Sequence, residues 1–235
     1  MCICRRKNKP SPEYFVSDTK LSTATSLRLL GVQVSYDLSW KEQVSNVTKK
    51  CNKLLGFLRT VVGNQNKNIL LTLYRSLILP IIDFCSPVWF VYQKNHTDNL
   101  ETIQRRATRF ILCQRRGDQS YEKRLKQLNL MNLANRRKYL SICFACNCFL
   151  NSSSFTFSSW SVNSRHPNNL LFNDHITAKT DSFKFTIAVN FPRMWAALPE
   201  PVRENFIMYT SKSSFKKHLK NYLTEISHVE LELDS

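Results

Sequence analysis

Between Glu101 and Lys138, eleven lysines and arginines stand against three acids. Arg105, Arg106 and Arg109 lead, Arg115 and Arg116 follow, then Lys123, Arg124, Lys126 and the run Arg136-Arg137-Lys138. Guanidinium forks bind phosphate oxygens two at a time, and each neutralised phosphate releases counterions. The chemistry on offer is polyanion binding that weakens steeply with salt. The whole chain repeats the bias, with 34 Lys+Arg against 17 Asp+Glu for a formal charge of +17. Nucleic acid is the commonest partner for such an excess.

Other chemistries find no complete set of residues. Cys143-x-x-Cys146-x-Cys148 is half of a zinc pattern, with no second close pair and no histidine near it in sequence. On a helix, Cys143 and Cys146 share a face and read as small hydrophobes. No metal ligand set is assigned, and His166 and His175 fit no metal motif. The glycines are Gly31, Gly56, Gly63 and Gly117. Four so scattered cannot build a G-x-G-x-x-G turn, a Walker loop or a G-x-S-x-G elbow. No interior glutamate is followed two residues later by lysine, as a restriction-type nuclease would want, and there is no Asp-Asp dipeptide to hold two Mg²⁺ ions.

The elements that must position the cations are mostly helices. A chain of 235 residues with 43% hydrophobic content can bury a core. Ser39-Trp40-Lys41-Glu42 fits a capping box. Val44, Val47, Cys51, Leu54, Leu55 and Leu58 then form one apolar face, with Lys49 and Lys53 opposite and Lys50 on its flank. A second helix spans about 66–79, with Leu70, Leu73, Tyr74, Leu77 and Ile78 inward and Pro80 kinking or ending it. A third covers about 97–113, with Leu100, Ile103, Ala107, Phe110 and Ile111 inward. Residues 120–128 follow a turn at Gly117-Asp118, and a longer helix runs over about 132–150. Trp40 and Trp89 read as packing anchors.

The flanks read differently. Tyr14-Phe15-Val16 and Leu29 to Val34 are β-rich, and residues 1–38 read as strands whose sheet partners are missing. Poor solubility and a frayed N-terminus follow, with 39–150 as the folded unit. Residues 151–180 read as linker or loop. A strand at 183–189, the segment Phe191 to Pro201, and a last helix over about 213–226 complete a small α+β C-terminal segment, followed by an acidic tail. The fold class is mainly α. Eight scattered cysteines read as reduced thiols, and no signal peptide or membrane span is seen, which places the chain inside the cell, nuclear or cytoplasmic.

Taken in order, several segments resemble the reverse transcriptases of LINE-type, non-LTR retrotransposons, the jockey-like group above all. Leu30-Gly-Val-Gln-Val with Asp37-Leu-Ser-Trp40 resembles their "LGV…D..LSW" segment. Leu54 to Arg59 and Leu73 to Pro80 resemble the next two helices. Asp83-Phe-Cys-Ser-Pro-Val-Trp89 resembles "EYASPVW", Leu100 to Ala107 resembles "LEKVQRRA", and Arg136-Arg137-Lys138 resembles "RRK". Phe191 to Trp195 with Leu198-Pro199, then Phe215 to Leu223, resemble the closing motifs.

The resemblance implies the last palm strands, a basic helical thumb-like bundle and the segment behind it. The catalytic carboxylates and their Mg²⁺ would lie before Met1, so the chain is expected to be a truncated fragment with no cofactor and no activity of its own. A thumb grips an RNA–DNA hybrid through its sugar-phosphate backbone. The backbone contacts it implies are Lys49, Lys50, Lys53, Arg105, Arg106, Arg109, Arg115 and Arg116. Arg136 and Arg137 come second, because a helix N-terminus can also bury them against Asp or Glu. Two other readings stay open: part of an intact reverse transcriptase, or a basic helical protein with acidic protein partners.

Overall fold

A computed structural model describes residues 13–63, 66–150, 160–162, 170–172, 184–203 and 212–229. The fold is mainly helical, with short antiparallel strand pairs. Strands β1 (Phe15–Val16) and β2 (Thr19–Lys20) form one pair, and β3 (Ser26–Leu29) and β4 (Val32–Ser35) another. The β-rich run from Leu29 to Val34 is thus not one strand but a turn between two. Leu30 and Gly31 both take positive φ, 45° and 90°, as a tight two-residue hairpin requires. A Cβ on Gly31 would also sit 3.1 Å from a ring carbon of Phe84.

The β3–β4 hairpin does not hang free. Val32 is buried in the main core, Val34 packs against it, and the Gln33 N–H donates to Gln43 Oε1 at 2.9 Å. Residues 26–35 therefore pack with the helices rather than awaiting a sheet. Residues 1–12 of the segment read as strands, His166 and His175, and the acidic tail lie outside the described residues.

Helix α1 spans Lys41–Val61 and buries Val44, Val47, Cys51, Leu55 and Leu58. Its expected capping box does not form. Trp40 holds the cap position without a side-chain bond, while Ser39 is tied to the hairpin: its N–H donates to Asp37 Oδ1 and its carbonyl accepts from Ser35 Oγ. Local hydroxyl chemistry went to the turn instead of the helix end.

Pro80 neither ends its helix nor sits in a regular one. Helix α2 (Lys67–Leu73) passes through a π-turn, Tyr74–Ile78, into α3 (Leu79–Asp83). The Leu79 N–H reaches back five residues to the Tyr74 carbonyl. Proline removes the donor that the Ser76 carbonyl would need, and the widened turn absorbs the mismatch. The inserted residue turns Leu77 outward, 41% exposed against its expected burial, while Ile78, Leu79 and Ile82 go inward.

Helix α4 (Lys94–Ile111) lies against α1, and α5 (Tyr121–Leu128) follows, capped by Ser120 Oγ at its start and ended by left-handed Asn129. Helix α6 (Leu133–Leu150) is capped by Asn132, whose side chain accepts the Asn135 N–H at 2.7 Å. A buried polar chain ties three layers together: Tyr74 donates to Gln104 Oε1, and Gln104 Nε2 donates to the Met131 carbonyl, each at 2.9 Å.

The stretch read as linker contains a strand pair, β5 (Trp160–Val162) with β6 (Leu170–Phe172). The described part of the strand expected at 183–189, residues 184–189, instead leads into helix α7 (Ile187–Ala196). Its Phe191 and Trp195, one helical turn apart, pack into a second core, which outweighs the β preference of this segment. Helix α8 (Lys212–Val229) adds Phe215, Leu219 and Leu223 to that core, against Ile142, Ala145 and Cys146 of α6. Cys146 behaves as the hydrophobe its spacing indicated, and burial pushes its thiol up. Asn135 Nδ2 donates to Ser227 Oγ at 3.1 Å, pinning α8 to the start of α6.

Candidate nucleic-acid interface

The apolar stripes of α1 and α4 meet, and the residues just outside the seam line an open groove of about 680 Å³. Arg59 comes from α1; Arg106 and Arg109 come from α4, and Arg116 from the turn after it. At Gly56 the α1 wall of the groove carries no side chain, with open space where a Cβ would stand. Among the described residues, no carboxylate lines it. Helical spacing explains the gathering: Asn52, Gly56 and Arg59 share one flank of α1, as Arg106, Arg109 and Phe110 share the facing flank of α4.

The groove cations are held by neutral groups. Arg106 Nη1 donates to Asn52 Oδ1 at 3.2 Å, and Arg59 Nη2 donates to the Arg106 carbonyl at 3.4 Å. The Arg59 guanidinium also lies over the Phe110 ring, 5.4 Å from its centre. Among the described residues, the ion pairs are Lys20–Glu13 and Arg136–Asp83, so no groove arginine is neutralised by one. Behind the groove, buried Arg124 donates to Thr108 Oγ1 and to the Gln119 carbonyl. Its pKa is lowered by burial first and by the charge of Arg109 second, a sign of the positive density there.

The ten sequence-derived candidates separate into groups. Arg106, Arg109 and Arg116 line the groove. Lys49 and Lys53 stand exposed on the back of α1, between the flank carrying Asn46 and Lys50 and the flank carrying Asn52 and Arg59. Lys50 lines a second cleft on the far side. Arg105 is exposed, with its guanidinium 5.2 Å from the Tyr121 ring centre, and Arg115 is exposed in the turn closed by its own N–H donating to Asp118 Oδ2. Arg59 was missing from the set, because one arginine at the end of a helix gives no cluster in sequence.

Arg136 and Arg137 leave the set. Both stand in the first turn of α6, where the helix dipole disfavours cations, and each is drawn inward. Arg136 Nε donates to Asp83 Oδ1 at 2.8 Å within a forked ion pair. Arg137 is 3% exposed, stacked on Trp89, with Nη2 donating to the Trp89 carbonyl at 2.6 Å. A guanidinium so enclosed cannot reach a phosphate. Both segments matched by the resemblance, Asp83 to Trp89 and Arg136-Arg137, thus pack on one another.

Comparison with protein-family models, with curated proteins and with solved structures found no match. Among the described residues, no helix is long and apolar enough to cross a membrane.

Proposed function

We propose that this chain is a thumb-like part of a non-LTR retrotransposon reverse transcriptase, a clamp on the backbone of an RNA–DNA hybrid that does no catalysis of its own. The observation that carries this reading is the α1–α4 groove, where Arg59, Arg106, Arg109 and Arg116 converge with no carboxylate among the described residues that line it. Such a groove suits phosphates at any sequence, since guanidinium contacts to the backbone position a duplex without reading bases. The resemblance supplies the hybrid as the partner, and the packing of its Asp83-to-Trp89 segment against Arg136-Arg137 supports treating those segments as one unit.

The test is a salt-titrated binding assay of the purified chain against a hybrid of about twenty base pairs, with single strands and heparin as controls. Hybrid preference and a log–log salt slope of several units are expected. Equal binding to every polyanion would leave charge without a duplex site. Tighter binding to an acidic polypeptide than to the hybrid would favour a protein partner instead.

A further inference from the structure

A second cleft, of about 550 Å³, opens between the β3–β4 hairpin and α1, on the opposite flank of α1 from the arginine groove. Arg28 and Lys50 stand exposed at it, neither in an ion pair among the described residues. Gln33, Gln43 and Asn46 bring three amides, and the half-exposed ring of Phe84 supplies an aromatic surface. Among the described residues, no carboxylate lines this cleft either.

The amides are oriented. Gln43 is 5% exposed, and its Oε1 accepts the Gln33 backbone N–H at 2.9 Å. Because a backbone N–H can only donate, this bond fixes which end of the Gln43 amide is oxygen. Its Nε2 then donates to no atom of the described residues, a donor left at the cleft. Gln33 Nε2 donates to Ser26 Oγ at 3.0 Å, which leaves its Oε1 without a partner among the described residues. One donor and one acceptor in the same cleft can meet the hydrogen-bonding edge of a nucleobase, and an aromatic ring with two cations can meet its π-face and its phosphate.

We propose that this cleft binds a single unpaired nucleotide, its base against Phe84 and the Gln33–Gln43 amides, its phosphate at Arg28 and Lys50. The site does not depend on the hybrid-clamp reading, because it shares no lining residue with the arginine groove. The nucleotide can come free from solution or from an unpaired strand end, and the test separates the two.

Titration of the full chain with adenosine 5′-monophosphate, followed by calorimetry or NMR, is expected to saturate. Phe84→Ala is expected to weaken binding by about tenfold or more. Asn46→Trp, a substitution at an exposed helical position, fills the cleft without touching the core and is expected to do the same, with the melting temperature of each variant as the check on folding. Arg106→Ala with Arg109→Ala should leave this affinity unchanged. Absence of saturation at millimolar nucleotide overturns the proposal. So does equal displacement by inorganic phosphate, or unchanged affinity in Asn46→Trp. If a hybrid with a single-stranded overhang binds tighter than a blunt one, and Asn46→Trp removes the difference, the strand end is the ligand. Equal binding of both hybrids beside saturable binding of the monophosphate makes it the free nucleotide.

Discussion

The guanidinium carbon of Arg137 lies 4.1 Å from the centre of the Trp89 ring, and both side chains are buried. The Trp89 indole N–H donates to the Phe84 carbonyl at 2.7 Å, and Arg137 donates to the Trp89 carbonyl, so the loop after α3 is closed from both sides. Among the described residues, Arg137 Nε and Nη1 are buried without partners, and burial lowers its pKa to about 10. The cation is held by the ring face and the Trp89 and Ser86 carbonyls rather than by a direct carboxylate pair.

Arg137→Ala is therefore expected to cost stability, about 2–4 kcal/mol, because it opens a void over Trp89 and orphans a buried carbonyl. Affinity for nucleic acid should not change. Urea denaturation and hybrid binding on the same preparation decide it: lost affinity at unchanged stability would return Arg137 to the surface.

Arg136 and Asp83 are expected to fail singly and tolerate joint replacement. Arg136→Met alone leaves the Asp83 carboxylate half enclosed without its fork, costing about 2–4 kcal/mol. Asp83→Leu with Arg136→Met should recover most of that loss, since the pair's desolvation cost disappears with it. A double mutant no more stable than the worse single one would show that the geometry of the fork, not charge balance, holds α3 to α6.

Glu101 gives a pH dependence with a definite sign. Its carboxylate accepts the Tyr121 hydroxyl and the Leu133 N–H at the start of α6, yet burial outweighs these bonds and raises its pKa above the ordinary 4.5. The folded state thus favours the neutral acid. Its contribution is fully present below the unfolded value and is lost as pH rises through the folded one. Glu101→Gln should flatten that part of the stability–pH curve. The same slope in wild type and variant, by denaturant midpoints across the range, would reject it.

Arg59→Ala, Arg106→Ala and Arg109→Ala together should lower the salt slope of hybrid binding by about one unit for each phosphate left without its arginine. Their effect on stability should be small, about 0.5 kcal/mol each or less, because the bonds of Arg59 and Arg106 are exposed and go to neutral groups. Arg115→Ala, outside the groove, should change the slope less. A slope insensitive to the groove variants would mean that the binding surface lies elsewhere.

The amphipathic helices were legible because burial follows a period: Val44 to Leu58 in α1 and Leu100 to Ile111 in α4 go inward as their spacing requires. The hairpin was not, because Leu30-Gly31 sits inside an unbroken β-rich run and only its positive φ angles reveal a turn. Ser39 illustrates a competition that local rules leave undecided, since the same hydroxyl can cap a helix or serve the hairpin. The site was half legible. A cluster in sequence, Arg105 to Arg116, marked the helix end that lines the groove but not which side chains converge there.

By itself the sequence determined that the chain is basic, mainly helical and built on apolar stripes, since charge and period are properties of residue order. Only the tertiary structure decided where each cation went. Arg59 joined Arg106 and Arg109 across a seam between helices about fifty residues apart in sequence. Arg136 and Arg137, chemically the same side chain, turned away from solvent. The reason is physical: a guanidinium's fate depends on which carboxylate, ring or carbonyl stands within a few ångströms, and those neighbours come from segments that only the folded packing brings together.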